Sequence, residues 1–166
     1  MSLIAGLDRE AFVARFGGIF EHSPWIAEGA FDAGLGPEAA DAEGLHAALC
    51  RVLDAADRDA KLALLNAHPD LAGKLALAGE LTADSTAEQA GAGLDRLTPG
   101  ELARFTALND TYKARFGHPF IIAVKGLDKH AILAAFESRV ENAPEVEFAT
   151  ALDQVKRIAL LRLQAL

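Results

Sequence analysis

Alanine fills 35 of the 166 positions of this chain, while valine and isoleucine together fill only 13. Alanine loses no side-chain rotamer freedom in a helix, and the β-branched residues that suit pleated sheets are scarce here. A chain of this length can close one hydrophobic core and is shorter than most two-domain proteins. We therefore expect a mostly helical protein in which residues 1–166 form a single domain.

Charge and hydropathy exclude several classes of protein. Sixteen Lys and Arg against 24 Asp and Glu give a net charge of −8, the wrong sign for a protein that binds nucleic acid by neutralising phosphates. Mean hydropathy is only +0.16, and no stretch approaches the roughly 18 apolar residues of a membrane helix. The first ten residues lack a basic flank and a long apolar run, and the lone Cys50 cannot form an internal disulfide. We expect a cytoplasmic protein with no nucleic-acid or membrane partner.

Helix start signals recur along the chain, each ahead of apolar residues at helical spacing. The residues that predict a helix N-terminus are Asp8, Ser23, Asp41, Asp57, Ser85, Thr98, Asp128 and Pro144. Two of these starts fit the capping-box pattern, with Ser85 paired to Glu88 and Thr98 paired to Glu101. Gly117 is predicted to end the helix that Thr98 begins, because glycine is free to take positive φ.

Residues 118–126, HPFIIAVKG, are the only run with strand character. No second strand is available to pair with it, so we expect one short extended loop near residues 119–125 that packs on helices. Residues 70–84 contain two glycines and are predicted to form a loop with at most one short helix.

No motif of metal or nucleotide chemistry is present. The five histidines are His22, His46, His68, His118 and His130. No two of them lie three or four residues apart, where one helix face could offer both to a metal. Phosphate-binding and nucleophile-elbow patterns are also missing. We expect no metal site, so any chemistry must come from ordinary side chains.

Three candidates for such chemistry each have two interpretations. His68 lies where Pro69 forces a helix to end, and it either exchanges protons with a ligand or is a partly exposed histidine favoured by the helix dipole. Ser85 and Glu88 either cap a helix or bind a ligand at its N-terminus. Arg162 continues a buried row of the last helix, and it either joins an internal ion pair or anchors a ligand.

Four segments follow one another in a specific order and spacing. They are HPDLAGK (68–74), LTADSTAEQAGAGLDRLT (81–98), FTALNDTYKARFGHPFIIAVKG (105–126) and RIALLRL (157–163). Together they resemble the OHCU decarboxylase family of urate breakdown, and the resemblance covers essentially the whole chain. It implies a compact all-α fold of about seven to nine helices, a homodimer, and catalysis without a metal or organic cofactor.

The resemblance also implies a reaction and a set of residues. The substrate is 2-oxo-4-hydroxy-4-carboxy-5-ureidoimidazoline (OHCU), and the products are (S)-allantoin and carbon dioxide. His68 and Glu88 match the catalytic positions. The positions that match substrate-binding residues are Pro69, Ser85, Gln89, Phe120, Ile121, Ile122, Ala123, Val124 and Arg162. His118 stands where relatives often carry a second aromatic residue.

Two other classes of function remain open at this point. A non-catalytic helical module could present the acidic surface to a partner, and it would make no joint use of His68, Glu88 and Arg162. A different cofactor-free lyase or hydrolase could use the same residues on another ureide. An assay with freshly generated OHCU separates these hypotheses.

Overall fold

The computed structural model describes residues 1–73 and 81–166 of the chain. These residues form eight α-helices and one short 3₁₀ helix, and they contain no strand. In chain order the helices are α1 (Arg9–Phe16), α2 (Trp25–Asp32), the 3₁₀ helix (Pro37–Ala40), α3 (Ala42–Ala55), α4 (Arg58–Asn66), α5 (Ala83–Gly91), α6 (Pro99–Phe116), α7 (Lys129–Arg139) and α8 (Pro144–Gln164). The predicted all-α fold is confirmed. Residues 74–80, inside the predicted loop of residues 70–84, lie outside the described residues.

The chain divides into two compact units. The first unit comprises Met1–Ala67 and Lys156–Leu166, and the second comprises His68–Val155. The N-terminal part of helix α8 belongs to the second unit, and its last residues belong to the first. The single domain expected for residues 1–166 remains a prediction.

Side-chain caps begin most helices at the residues that the sequence indicates. In α1, α3, α4 and α7 an aspartate accepts a hydrogen bond from the backbone N–H three residues later. These aspartates are Asp8, Asp41, Asp57 and Asp128. At α6, Thr98 and Glu101 form the predicted reciprocal capping box, and Gly117 ends the helix at φ 78°. Local chemistry therefore sets these boundaries.

The predicted start at Ser23 is wrong by one residue. Helix α2 begins at Trp25 and has no side-chain cap. The Ser23 hydroxyl instead donates to the backbone oxygen of Glu21, over 2.9 Å. Ser23 therefore stabilises the turn before the helix rather than the helix itself.

The predicted start at Ser85 is wrong by three residues. Helix α5 begins at Ala83, and its cap is Thr82, whose hydroxyl accepts a hydrogen bond from the Ser85 backbone N–H over 3.2 Å. Ser85 lies inside the first turn, so Ser85 and Glu88 do not form a capping box. The purely local explanation for these two residues is removed.

The second unit contains one buried cluster to which the loop of His68, the residues after α5, the extended segment and helices α6 and α7 contribute. Its members are Leu71, Ala72, Ala92, Leu94, Phe105, Leu108, Tyr112, Phe120, Val124, Ile132 and Phe136. The Phe120 and Phe136 rings stack with centroids 3.9 Å apart, so the irregular segment at 119–124 packs directly on α7. Among the described residues, no helix is long and apolar enough to cross a membrane.

Candidate functional site

His68 is the first residue of the second unit and follows closely on the end of α4 at Asn66. Only 9% of its surface is exposed. The interpretation of His68 as a partly exposed histidine is therefore wrong. The His68 imidazole is instead buried at the start of the loop that follows α4.

The loop that His68 begins is held by side chains from two helices. Gln89 of α5 accepts a hydrogen bond from the Ala72 backbone N–H over 3.0 Å and donates to the Asp70 backbone oxygen over 3.4 Å. Lys113 of α6 pairs with the Asp70 carboxylate at 2.7 Å. Ala72 takes φ +52°, a conformation that non-glycine residues adopt only when their surroundings impose it. Side-chain contacts from α5 and α6 therefore fix the conformation of this loop.

Helix α5 presents three of the predicted residues on one face. Ser85, Glu88 and Gln89 are three and four residues apart, a spacing that places side chains side by side on a helix. Ser85 and Gln89 are buried and Glu88 is half-buried. Because Gln89 contacts the loop of His68, this face of α5 lies next to that loop.

The extended segment belongs to the same buried cluster as the loop. Leu71 and Ala72 from the loop pack in one cluster with Phe120 and Val124, and Ile122 packs against it partly buried. The second unit therefore brings together the loop of His68, the face of α5 and the segment at 120–124. These are three of the elements that the sequence singles out.

Side chains hold the backbone of the extended segment from two directions. Arg139 of α7 donates from Nη1 to the Ile121 backbone oxygen over 2.8 Å. The Ala123 backbone N–H donates to Oε1 of Gln154 on α8 over 2.9 Å. Because irregular backbone lacks the internal bonds of a helix, such contacts determine which of its polar groups face which neighbour.

Arg139 belongs to a buried network centred on Glu147, whose side chain is 0% exposed. The Glu147 carboxylate accepts hydrogen bonds from Arg139, at 3.0 Å for Nη2, from Asn142 at 2.9 Å, and from the Tyr112 hydroxyl. The Arg139 guanidinium also lies 4.4 Å from the centroid of the Phe120 ring, within cation–π range. One side chain thus joins the carboxylate to both the backbone and the ring of the extended segment.

The network changes the pKa values of its members in opposite directions. Burial on its own would raise the pKa of Glu147, but the hydrogen bonds from Arg139, Tyr112 and Asn142 outweigh it and lower that pKa. Burial, followed by the hydrogen bond to Glu147, raises the pKa of Tyr112. Glu147 is therefore held as a carboxylate and Tyr112 as a neutral donor.

His118 has the environment of an aromatic residue. It is 1% exposed, and its ring lies 5.6 Å from Tyr112, 6.2 Å from Phe116 and 6.3 Å from Phe148, measured between centroids. Its Nδ1 lies 3.0 Å from the Pro119 backbone oxygen, as expected of an N–H that donates to it. His118 packs at the start of the extended segment, against aromatic rings of α6 and α8.

Arg162 lies in the first unit and forms an internal ion pair. Its Nη2 is 3.0 Å from the Glu21 carboxylate, and its Nη1 donates to the Ile19 backbone oxygen over 3.2 Å. Both charged side chains are buried, so each compensates the desolvation of the other. The ion-pair interpretation is thus confirmed, and the assignment of Arg162 to the substrate remains a prediction.

In the first unit, His46 and Cys50 lie close together but do not form a nucleophilic pair. Nε2 of His46 lies 2.7 Å from the Lys156 backbone oxygen and 3.3 Å from the sulfur of Cys50. A carbonyl only accepts, so Nε2 carries the proton, and the Nδ1 that is left to accept from the thiol lies 3.9 Å from the sulfur. Burial raises the pKa of Cys50 to about 11, which keeps the thiol protonated. In residues 1–73 and 81–166, no three His, Cys, Asp or Glu side chains gather as metal ligands would.

Sequence reasoning missed Asn109, Arg139 and Glu147. The position of Asn109 could have been noticed in the sequence, because it interrupts an otherwise apolar stripe of α6. In the structure its side chain donates a hydrogen bond to the Leu71 backbone oxygen over 2.9 Å. No sequence pattern indicated that Arg139 and Glu147 are buried, since charged residues near helix ends are usually solvated. Only the tertiary structure shows that they are buried together.

Known proteins resemble this chain over nearly its full length. A family model described as OHCU decarboxylase matches residues 5–164. Two relatives are named 2-oxo-4-hydroxy-4-carboxy-5-ureidoimidazoline decarboxylase. The one from Haloferax volcanii is 45% identical over 157 residues, which is 95% of this chain and 89% of the relative. The one from Halalkalicoccus jeotgali is 41% identical over 159 residues, which is 96% of this chain and 86% of the relative.

A crystal structure of (S)-allantoin synthase is also similar. It matches with a TM-score of 0.74 and 35% sequence identity, over 96% of this chain and 50% of that chain. This chain therefore spans about half the length of that protein.

Proposed function

This chain belongs to the OHCU decarboxylase family, and we propose on that premise that it converts OHCU to (S)-allantoin and carbon dioxide in urate breakdown. The observation that carries the proposal is the setting of His68. This buried imidazole begins a loop that is bound by Gln89, the residue next to Glu88 on α5. A proton-transfer group and a carboxylate are thereby held on adjoining elements of one unit.

The reaction requires the protein to transfer protons and to orient the substrate, and little else. When the bond to the carboxylate breaks, its electron pair stays on the ring, and the conjugated C=N bond of the substrate accepts it in place of a cofactor. The ring nitrogen takes a proton, and the hydroxyl loses one as it becomes a carbonyl. The neighbouring carbon gains a proton and becomes the stereocentre. The net change is one proton taken up and one carbon dioxide released.

His68 is the residue we assign to these proton transfers. It takes the hydroxyl proton and returns a proton to the ring carbon from one side, which sets the S configuration. Pro69 limits the backbone freedom beside it. Glu88 accepts hydrogen bonds from N–H groups of the ureido substituent and the ring.

The remaining predicted residues bind the substrate in this proposal. Gln89 uses one N–H and one lone pair on the loop, and an amide has a second of each for the substrate. Ser85 contributes its hydroxyl, and the backbone from Phe120 to Val124 fixes the heterocycle. No metal or organic cofactor takes part.

An assay with freshly generated OHCU tests the proposal. We expect the protein to remove OHCU faster than it decays spontaneously and to yield (S)-allantoin, read as the sign of its circular dichroism. Heat-denatured protein supplies the background rate. A rate equal to spontaneous decay, or a racemic product, contradicts the proposal, and activity on another ureide alone supports the related lyase or hydrolase instead.

We also propose that the protein is a cytoplasmic homodimer, as the family resemblance implies. Sedimentation equilibrium distinguishes the 17.5 kDa chain from a particle of twice that mass, and a monomer at micromolar concentration contradicts the dimer. Cell fractionation tests the location, which a membrane-bound pool contradicts.

A further inference from the structure

Asn109 is the one amide side chain among the buried residues of α6. The others are Phe105, Leu108 and Tyr112, which form the apolar stripe that faces the core of the second unit. Asn109 is 4% exposed. A buried amide in such a stripe has a desolvation cost that an apolar residue would avoid.

The hydrogen bonds of Asn109 do not compensate that cost in full. Its Nδ2 donates to the Leu71 backbone oxygen over 2.9 Å. Its Oδ1 is buried and has no hydrogen-bond partner in the described part of the chain. An unpaired buried acceptor is unfavourable, and a leucine of similar size would remove it. The unpaired Oδ1 therefore offsets part of the stability that the bond to Leu71 contributes.

Among the described residues, the one side-chain hydrogen bond of Asn109 is to the loop of His68. Gln89 binds the backbone oxygen of Asp70 and the backbone N–H of Ala72, and Asn109 binds the Leu71 oxygen between them. Two amides from two helices thus hold three consecutive residues. They stabilise the turn that keeps Ala72 at φ +52°, and His68 lies three residues before Leu71.

We propose that Asn109 is a positioning residue for His68, which it holds in place through the Leu71 carbonyl. The inference rests on the proposed function for its kinetic consequence. Small displacements of a reacting group cost large factors in rate. Loss of this bond therefore lowers kcat, while the substrate contacts of α5 and of the extended segment are retained.

Asn109→Leu is the first test. We expect kcat to fall by about 10–100-fold with KM within about twofold of the original protein. Thermal stability changes little, because the variant removes the unpaired Oδ1 while leaving the Leu71 oxygen unpaired. A kcat equal to that of the original protein overturns the proposal.

Asn109→Asp supplies a signature that a structural role would not give. Only the protonated carboxyl can donate to the Leu71 oxygen, and the carboxylate repels it. Burial raises the pKa of a carboxyl group at this position, so the ratio of the kcat of Asn109→Asp to that of the original protein should rise as the pH falls from 8 to 5.5. The charged groups on the adjoining elements, Asp70, Glu88 and Lys113, are the same in both proteins. A ratio that does not change with pH contradicts the proposal.

Thr106→Ala is the matched control, because Thr106 lies on α6 three residues before Asn109 and its hydroxyl donates to the Leu102 backbone oxygen, not to the loop of His68. Thr106 is exposed to solvent, so we expect kcat within about twofold of that of the original protein. A loss as large as that of Asn109→Leu would show that the effect does not come from the bond to Leu71 and would overturn the proposal.

Amide hydrogen exchange separates this inference from the proposed function. The Ala72 N–H should exchange faster in Asn109→Leu than in the original protein, whether or not OHCU is a substrate. Unchanged exchange overturns the inference even in an active enzyme. An original protein inactive on OHCU refutes the proposed function, and the exchange rates still decide whether Asn109 holds the loop.

Discussion

His68→Asn is expected to lower kcat for OHCU by about 10²–10⁴-fold, the usual contribution of a positioned general acid or base. Asparagine is polar and smaller than histidine, so it fits the buried position at the start of the loop, but its amide does not titrate near neutral pH. The variant should stay folded, as measured by circular dichroism and thermal unfolding, while OHCU decays at close to its spontaneous rate.

The matched control is His130→Asn, a histidine on α7 that is exposed to solvent. Its kcat should equal that of the original protein within about twofold, because a solvated surface residue contributes little to stability or geometry. A folded His68→Asn variant that decarboxylates OHCU at the full rate removes His68 from the mechanism.

Glu147→Ala is expected to lower the free energy of unfolding by about 3–5 kcal/mol, the typical result of removing one partner of a buried ion pair. The substitution leaves the buried Arg139 guanidinium without its carboxylate, and it removes the acceptor of the Tyr112 hydroxyl and the Asn142 amide. Urea denaturation of both proteins measures the difference.

The control for Glu147 is Glu137→Ala, which removes an ion pair with Arg104 whose side chains are about half exposed, at 46% and 52%. Exposed pairs contribute about 0–1 kcal/mol, so this variant should unfold near the original midpoint. If Glu147→Ala were no more destabilised than Glu137→Ala, the buried network would not stabilise the second unit.

Because the pKa of Glu147 is lowered in the folded protein, its contribution to the free energy of unfolding increases with pH. Its stabilising contribution is complete above the unfolded-state pKa of about 4.3 and is lost as the pH falls through the lower folded-state pKa. Glu147→Gln lacks this titration. The stability difference between the original protein and Glu147→Gln should therefore be constant above about pH 5 and shrink in more acidic solution.

The sequence predicted helix boundaries well where one residue decides them. Asp8, Asp128 and Thr98 each cap the helix they precede, because a short polar side chain beside an apolar stripe has few other ways to satisfy the first N–H groups. The predicted helix start was wrong where several residues could serve as the cap. Thr82, Asp84 and Ser85 all suit the cap of α5, and the structure uses Thr82.

The site was predictable as a set of segments but not as a set of contacts. Order and spacing along the chain identify His68, Glu88 and the run from Phe120 to Val124 by resemblance. They do not show that Gln89 binds the loop of His68, because that contact joins residues from separate elements. Burial of charge is likewise a tertiary property, so no local pattern shows that Glu147 lies inside the protein.

In the proposed enzyme, the loop of His68, the face of α5 and the extended segment bind one molecule. Titration of ¹⁵N-labelled protein with (S)-allantoin, the proposed product, tests whether they do, with (R)-allantoin as the control ligand. We expect backbone amide shifts to change at residues 68–73, 85–89 and 120–124, and to change less with the R enantiomer. Saturating (S)-allantoin that leaves these amides unchanged, or that shifts only residues elsewhere, contradicts the claim.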